Sequence, residues 1–236
     1  MALHKQSYST NTSQARNHRG GDGDSGYAQR RQLVEQALYL EVEGLNELSS
    51  GNISCRFGDG MLITPAGARA ATLTPESIVA VSDSGLWPEH LTPSSEWQMH
   101  QAIYRAQDSA QAVVHTHSDH CVALACQQQA LPGFHYLVGS FGGTDVPCVP
   151  YFTFGSEQLA AAAASALEHR SACLLASHGM ISRGDNLMQA VQLAHRLEIM
   201  CRQYLLSCQF GEPQLLTETQ WQQYFVQAQQ YNYGLS

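Results

Sequence analysis

The segment Ala112-Val113-Val114-His115-Thr116-His117-Ser118-Asp119-His120 decides how this chain is read. Its first five residues are a short apolar, β-branched run, the pattern of a buried strand. Side chains along a strand alternate between faces, so His115 and His117 emerge on the same side. Two imidazoles at the end of one strand can reach a single divalent cation, and imidazole suits zinc. A catalytic zinc takes three protein ligands and keeps one position open. The same pair also suits a hydrogen-bonded cluster without metal. The rest of the chain must therefore supply a third ligand, a base and a pocket.

Length and charge narrow the partners. With 236 residues the chain is long enough for a substantial core, and 44% hydrophobic residues fit a folded protein. A net charge of −8 with only 12 Lys plus Arg argues against nucleic acid and anionic membranes. No apolar run approaches the ~20 residues of a membrane span. The N-terminus has no apolar secretory segment, so the expectation is cytoplasmic. Seven cysteines, with no C-x-x-C pair, read as reduced and mostly buried. Cys121, beside the histidines, is the one that competes as ligand or nucleophile.

Residues 1–27 are rich in Ser, Asn, Gln, Gly and Arg and read as a disordered tail; residues 28–236 read as one domain. Apolar residues at helical spacing predict a helix over 29–48, closed by Gly44 and Ser49-Ser50-Gly51. Gly58-Asp59-Gly60 signals a hairpin between strands over 53–57 and 61–64. A strand is expected over 78–81 and a helix over 96–106, capped by Ser94 or Ser95. A short helix follows over 120–127, a glycine-rich passage over 139–143 and a strand over 148–151. Further helices are expected over 156–168, from Asn186 to Cys208, and over 217–230. Strands over 172–176 and 180–182 flank Ser177-His178-Gly179. Without a regular βαβ rhythm or a G-x-G-x-x-G, this order fits a three-layer α/β/α domain around a mixed, largely antiparallel sheet.

Four sets of residues carry chemistry. His115 and His117 supply two ligands, and His178, at another strand end, completes a three-histidine set. His120 competes for that third place, but the helix after His117 carries it away. Glu96 stands at a helix start, where capping and the helix dipole favour a carboxylate; a general base beside the metal fits equally. Ser50-Gly51-Asn52, Thr64-Pro65-Ala66-Gly67 and Ser94-Ser95 offer turn N–H groups and hydroxyls of the kind that hold phosphate without cations. Each alone is ordinary turn chemistry, so the phosphate reading requires all three to converge.

Taken in order, Gly51-Asn52-Ile53-Ser54, Leu62-Ile63-Thr64-Pro65-Ala66-Gly67, Pro93-Ser94-Ser95-Glu96-Trp97, His115-Thr116-His117 and Ser177-His178-Gly179 resemble the class II aldolase/adducin family. His135-Tyr136, Gly142-Gly143, the 147–151 run and Thr153-Phe154-Gly155 bring the resemblance nearest to its fuculose-phosphate aldolase branch. The resemblance spans roughly residues 30–235 and implies a zinc-dependent lyase, usually a homotetramer, with one zinc per subunit and a sugar-phosphate substrate. It implies that His115, His117 and His178 are zinc ligands. Glu96 is the implied acid/base and resting fourth ligand, and Asn52, Gly67, Ser94 and Ser95 the phosphate positions. It also implies that Tyr136 and Tyr233 are catalytic tyrosines, with the site near subunit boundaries.

Two departures bear on this. Ala66 stands where related aldolases often carry Thr, which removes a hydroxyl from the phosphate pocket. Ser49-Ser50 replaces the usual lead into Gly51-Asn52. Glu96, where epimerases of the family typically carry Asp, favours the aldolase over the epimerase. Decarboxylase, dehydratase and adducin-like scaffold are the remaining alternatives.

Overall fold

The structure, a computed structural model, describes residues 26–231. The tail over 1–25 and Tyr233 lie outside the described residues. Helix α1 (Tyr27–Val42) opens within the last residue assigned to that tail.

Seven strands form one sheet: β1 (Asn52–Phe57), β2 (Gly60–Ile63), β3 (Val79–Val81), β4 (Ala112–Thr116), β5 (Cys148–Val149), β6 (Ala172–Leu175) and β7 (Gly179–Gly184). Their order is β3-β2-β1-β4-β7-β6-β5, antiparallel throughout except for the β5–β6 edge. This is the expected mixed, largely antiparallel sheet. Strand β4 lies at its centre, so its residues are buried on both faces.

Alternation along the strands builds two cores, one on each face. Ile53, Cys55, Ala112 and Val114 face α1, α3 (Asp119–Ala125), α5 (Leu187–Cys208) and α6 (Glu218–Gln230). Met61, Ile63, Val79, Val81 and Val113 face α2 (Trp97–Ala106) and α4 (Glu157–Ala166). The small side chains of Ala160, Ala163 and Ala164 let α4 lie closely on this layer. Among the described residues no helix is long and apolar enough to cross a membrane.

Helix boundaries follow their caps. Asn186, Ser156 and Thr217 accept from Gln189, Leu159 and Gln220 N–H at 2.9, 3.2 and 3.3 Å, which starts α5, α4 and α6. Helix α1 stops at Val42, short of the expected 48. Gly44 adopts φ 69°, its N–H bonds Glu41 O, and Leu45 N–H bonds Leu40 O. That pair of bonds is a Schellman stop, which outweighs the helical spacing beyond it. The glycine-rich passage is also more regular than expected, since Tyr136–Phe141 coil as a 3₁₀ helix. The thiols are all free, as anticipated, but Cys126 and Cys208 are exposed.

Candidate metal centre and substrate pocket

The site sits where the centre of the sheet meets the start of α2. Strand β4 presents His115 on the α2 side, and His117 follows one residue past its end. Register pairs Asn52 of β1 with His115 and Ile181 of β7 with the same residue. His178 comes from the loop joining β6 to β7. Its N–H closes a turn onto Leu175 O at 3.0 Å, with Ser177 in the left-handed region at φ 53°. The residue after it must be glycine. A Cβ on Gly179 would lie 2.4 Å from Thr116 O and 3.1 Å from the His117 ring.

The three rings pack edge to face, with centroids 4.8–4.9 Å apart. Glu96 is the N-cap residue of α2 but makes no side-chain cap bond. Its buried carboxylate instead turns to the rings, with Oε2 3.1 Å from His115 Nε2 and Oε1 3.2 Å from His178 Nε2. The Glu96 side chain thus faces the histidines and leaves the helix start uncapped. Burial pushes the Glu96 carboxyl up, but His115, His178 and the Asn52 amide hold it below the usual carboxylate range. Burial, with the neighbouring rings, pushes His117 and His178 down to about 4, so both are neutral at pH 7.

The donor set fits a cation. His115 Nδ1 lies 2.7 Å from Met180 O, and since a carbonyl only accepts, the proton is on Nδ1. Nε2 of this ring faces the other groups of the cluster, 2.9 Å from His117 Nε2 and 3.1 Å from a carboxylate oxygen. The other carboxylate oxygen is buried without a hydrogen-bond partner. One ligand atom from each of Glu96, His115, His117 and His178 falls within 4.8 Å of the others. Three imidazoles and one carboxylate converging on one point are a donor set suited to a divalent cation.

His120 lies apart. Its Nδ1 is 2.5 Å from Glu198 Oε1, and the same carboxylate accepts from the backbone N–H of His120 and Cys121. Cys121 is buried, with Sγ 3.8 Å from Cys201 Sγ, and takes no part in the cluster.

The cluster opens into a pocket of about 350 Å³. Ser49, Ser50, Gly51 and Asn52 line it together with Pro65, Ala66 and Gly67, and with Ser94 and Ser95. The three turns thus share one cavity with Glu96, His117 and His178. Two of them are tied by Ala66 N–H to Thr92 O and Ser94 N–H to Thr64 O. Among the described residues, the N–H groups of Gly67 and Ser95 have no internal acceptor, and no Lys or Arg lines the cavity. Tyr151, Phe152 and Phe154 form an aromatic wall. Tyr136 is absent from this lining; it is 47% exposed and borders a separate hollow with Tyr224 and Tyr231.

Sequence reasoning missed His100, Ser54 and Tyr104, which form a buried polar chain with Asn52 behind Glu96. The signal was present. Glu96, His100 and Tyr104 recur every fourth residue on one helix face, and Asn52 and Ser54 alternate along one strand face.

Residues 31–205 match the family described as Class II Aldolase and Adducin N-terminal domain. An L-fuculose phosphate aldolase of Escherichia coli (strain K12) is 40% identical over 183 residues, covering 78% of this chain and 85% of that protein. A 5-methylthioribulose-1-phosphate/5-deoxyribulose-1-phosphate aldolase of Rhodospirillum rubrum is 43% identical over 189 residues, covering 80% and 86%. A solved L-fuculose 1-phosphate aldolase superposes with a TM-score of 0.80 at 32% identity, covering 86% of this chain and 95% of its own. The chain belongs to the class II aldolase/adducin family, and within it to the aldolase enzymes.

Proposed function

We propose that this chain is a zinc-dependent aldolase that cleaves a ketose 1-phosphate, such as L-fuculose 1-phosphate, to dihydroxyacetone phosphate and an aldehyde. The observation that carries this reading is the convergence of three anion-holding turns and the Glu96–histidine cluster on one pocket. His115, His117 and His178 hold the metal, which when bound polarises the ketose carbonyl as a Lewis acid.

The phosphate rests on the N–H groups of Gly67 and Ser95, the Ser94 and Ser95 hydroxyls and the Asn52 amide. This places the carbon chain toward Glu96. Glu96, held ionised by its neighbours, takes the C4 hydroxyl proton as the C3–C4 bond breaks and the electron pair stays with C3. The same carboxyl returns a proton to C3, which becomes the hydroxymethyl carbon of dihydroxyacetone phosphate, and C4 leaves as the aldehyde. Tyr136 lies outside its own chain's pocket. This placement supports a homotetramer in which Tyr136 and Tyr233 serve the aldehyde side of a neighbour's site.

The aromatic wall of Tyr151, Phe152 and Phe154 suits a substrate with an apolar tail, which favours 5-methylthioribulose 1-phosphate as the second candidate. The test is a panel of both sugars and their hydroxylated analogues, assayed for dihydroxyacetone phosphate with the zinc-loaded protein. Release from at least one ketose 1-phosphate is expected. No turnover anywhere on the panel, with carbon dioxide release from a phosphorylated keto-acid assayed beside it, overturns the reading.

A further inference from the structure

His100 takes no part in the chemistry above, yet it is fully buried one turn beyond Glu96 with both ring nitrogens engaged. Nε2 lies 2.5 Å from Asn52 Oδ1 and Nδ1 lies 2.7 Å from Ser54 Oγ. Ser54 Oγ is in turn 2.7 Å from the Tyr104 hydroxyl.

The direction of each bond follows from the last member. A carboxylate only accepts, so Asn52 presents Nδ2 to Glu96 Oε2, at 3.0 Å. Its Oδ1 then faces His100, which must donate from Nε2. Burial pushes His100 down to about 3, so the ring is neutral and Nδ1 carries no proton. Nδ1 accepts from the Ser54 hydroxyl, which accepts from Tyr104. Every donor points toward Glu96, an arrangement in which successive bonds polarise one another. The reverse tautomer would set a lone pair against Asn52 Oδ1, or turn the amide oxygen onto the carboxylate.

The geometry points to His100 as a positioning residue. Its Nε2–H fixes the Asn52 amide, and the amide fixes one oxygen of Glu96, leaving the other to face His178 and the pocket. Ser54 and Tyr104 set the tautomer that makes this possible. The inference rests on the aldolase reading only in taking Glu96 as the proton carrier.

Two measurements on the full-length protein test it. In the first, His100→Leu lowers kcat about 10- to 100-fold with KM little changed, the scale of losing a supporting partner. His100→Gln, whose amide offers one donor and one acceptor, recovers most of that loss. Ser54→Ala, a change of little volume, falls between them and serves if the leucine variant does not fold. In the second, ¹⁵N NMR of the imidazole shows His100 protonated at Nε2 and bare at Nδ1, and Ser54→Ala mixes the tautomers. Glutamine no better than leucine, a rise in KM at constant kcat, or a proton on Nδ1 overturns the inference. If the wild type cleaves no sugar phosphate, the aldolase reading fails and the NMR result judges the tautomer relay alone.

Discussion

At the scale of single residues, the site depends on which atoms are left without protons. His115 donates Nδ1–H to Met180 O, and its other nitrogen faces a second imidazole and a carboxylate. In the proposed mechanism Glu96 contributes the negative charge and carries the proton. Glu96→Gln keeps an oxygen and the shape while removing the charge and the base. The variant is expected to retain metal on its three histidines and to lose turnover by about 10²- to 10⁴-fold, the range for a general acid–base. Metal content by elemental analysis beside steady-state kinetics checks it; near-normal turnover removes Glu96 from the proposed role. Gly179 matters for what it lacks, since any side chain there meets the Thr116 carbonyl.

At the scale of elements, two long-range side-chain contacts fix the helices that frame the cluster. Arg56 on β1 caps the end of α2, donating Nε–H to Ala110 O at 2.7 Å and Nη2–H to Gln107 O at 2.9 Å. Glu198 on α5 caps the start of α3 through the His120 and Cys121 N–H groups. Burial raises Glu198, but His120 and those N–H groups pull it below the ordinary carboxylate value of 4.5. A carboxyl lowered in the fold stabilises above its unfolded value and loses that contribution as pH falls through the folded one. Glu198→Gln should therefore destabilise by about 1–3 kcal/mol at pH 7. The gap to wild type should begin to narrow below about pH 4.5 and close only when pH falls below the lowered folded value of Glu198. Urea melts at several pH values read this, and a gap independent of pH contradicts it.

Elements with local signals were legible in the sequence. Strand β4 and the Asn186-capped α5 fall where periodicity and the cap residue put them. The end of α1 was not legible, because a Schellman turn depends on backbone angles at Gly44 that helical spacing does not report. His178 could be proposed by residue type and number. The convergence of three turns on one pocket was reachable only through the family resemblance, because it depends on pairing between strands far apart in the chain.

At the scale of the whole molecule, the cluster is a point where one cation would tie together β4, the β6–β7 loop and the start of α2. Removing metal with a chelator should abolish turnover, and adding zinc back should restore it. Zinc at about 100 times its Kd should add about 2.7 kcal/mol, or roughly 5–10 °C in Tm for a domain of this size. Scanning calorimetry with and without chelator measures this, and equal melting points mean no specific metal is bound. The three histidines lie on β4 and on the loop between β6 and β7, with β7 itself paired to β4. A folding chain holding only the β4 pair would offer an ion two nitrogens. The third is in place only once the β6–β7 hairpin is docked against β4, so on the proposed reading tight metal capture requires that pairing and a half-made sheet would hold the ion poorly.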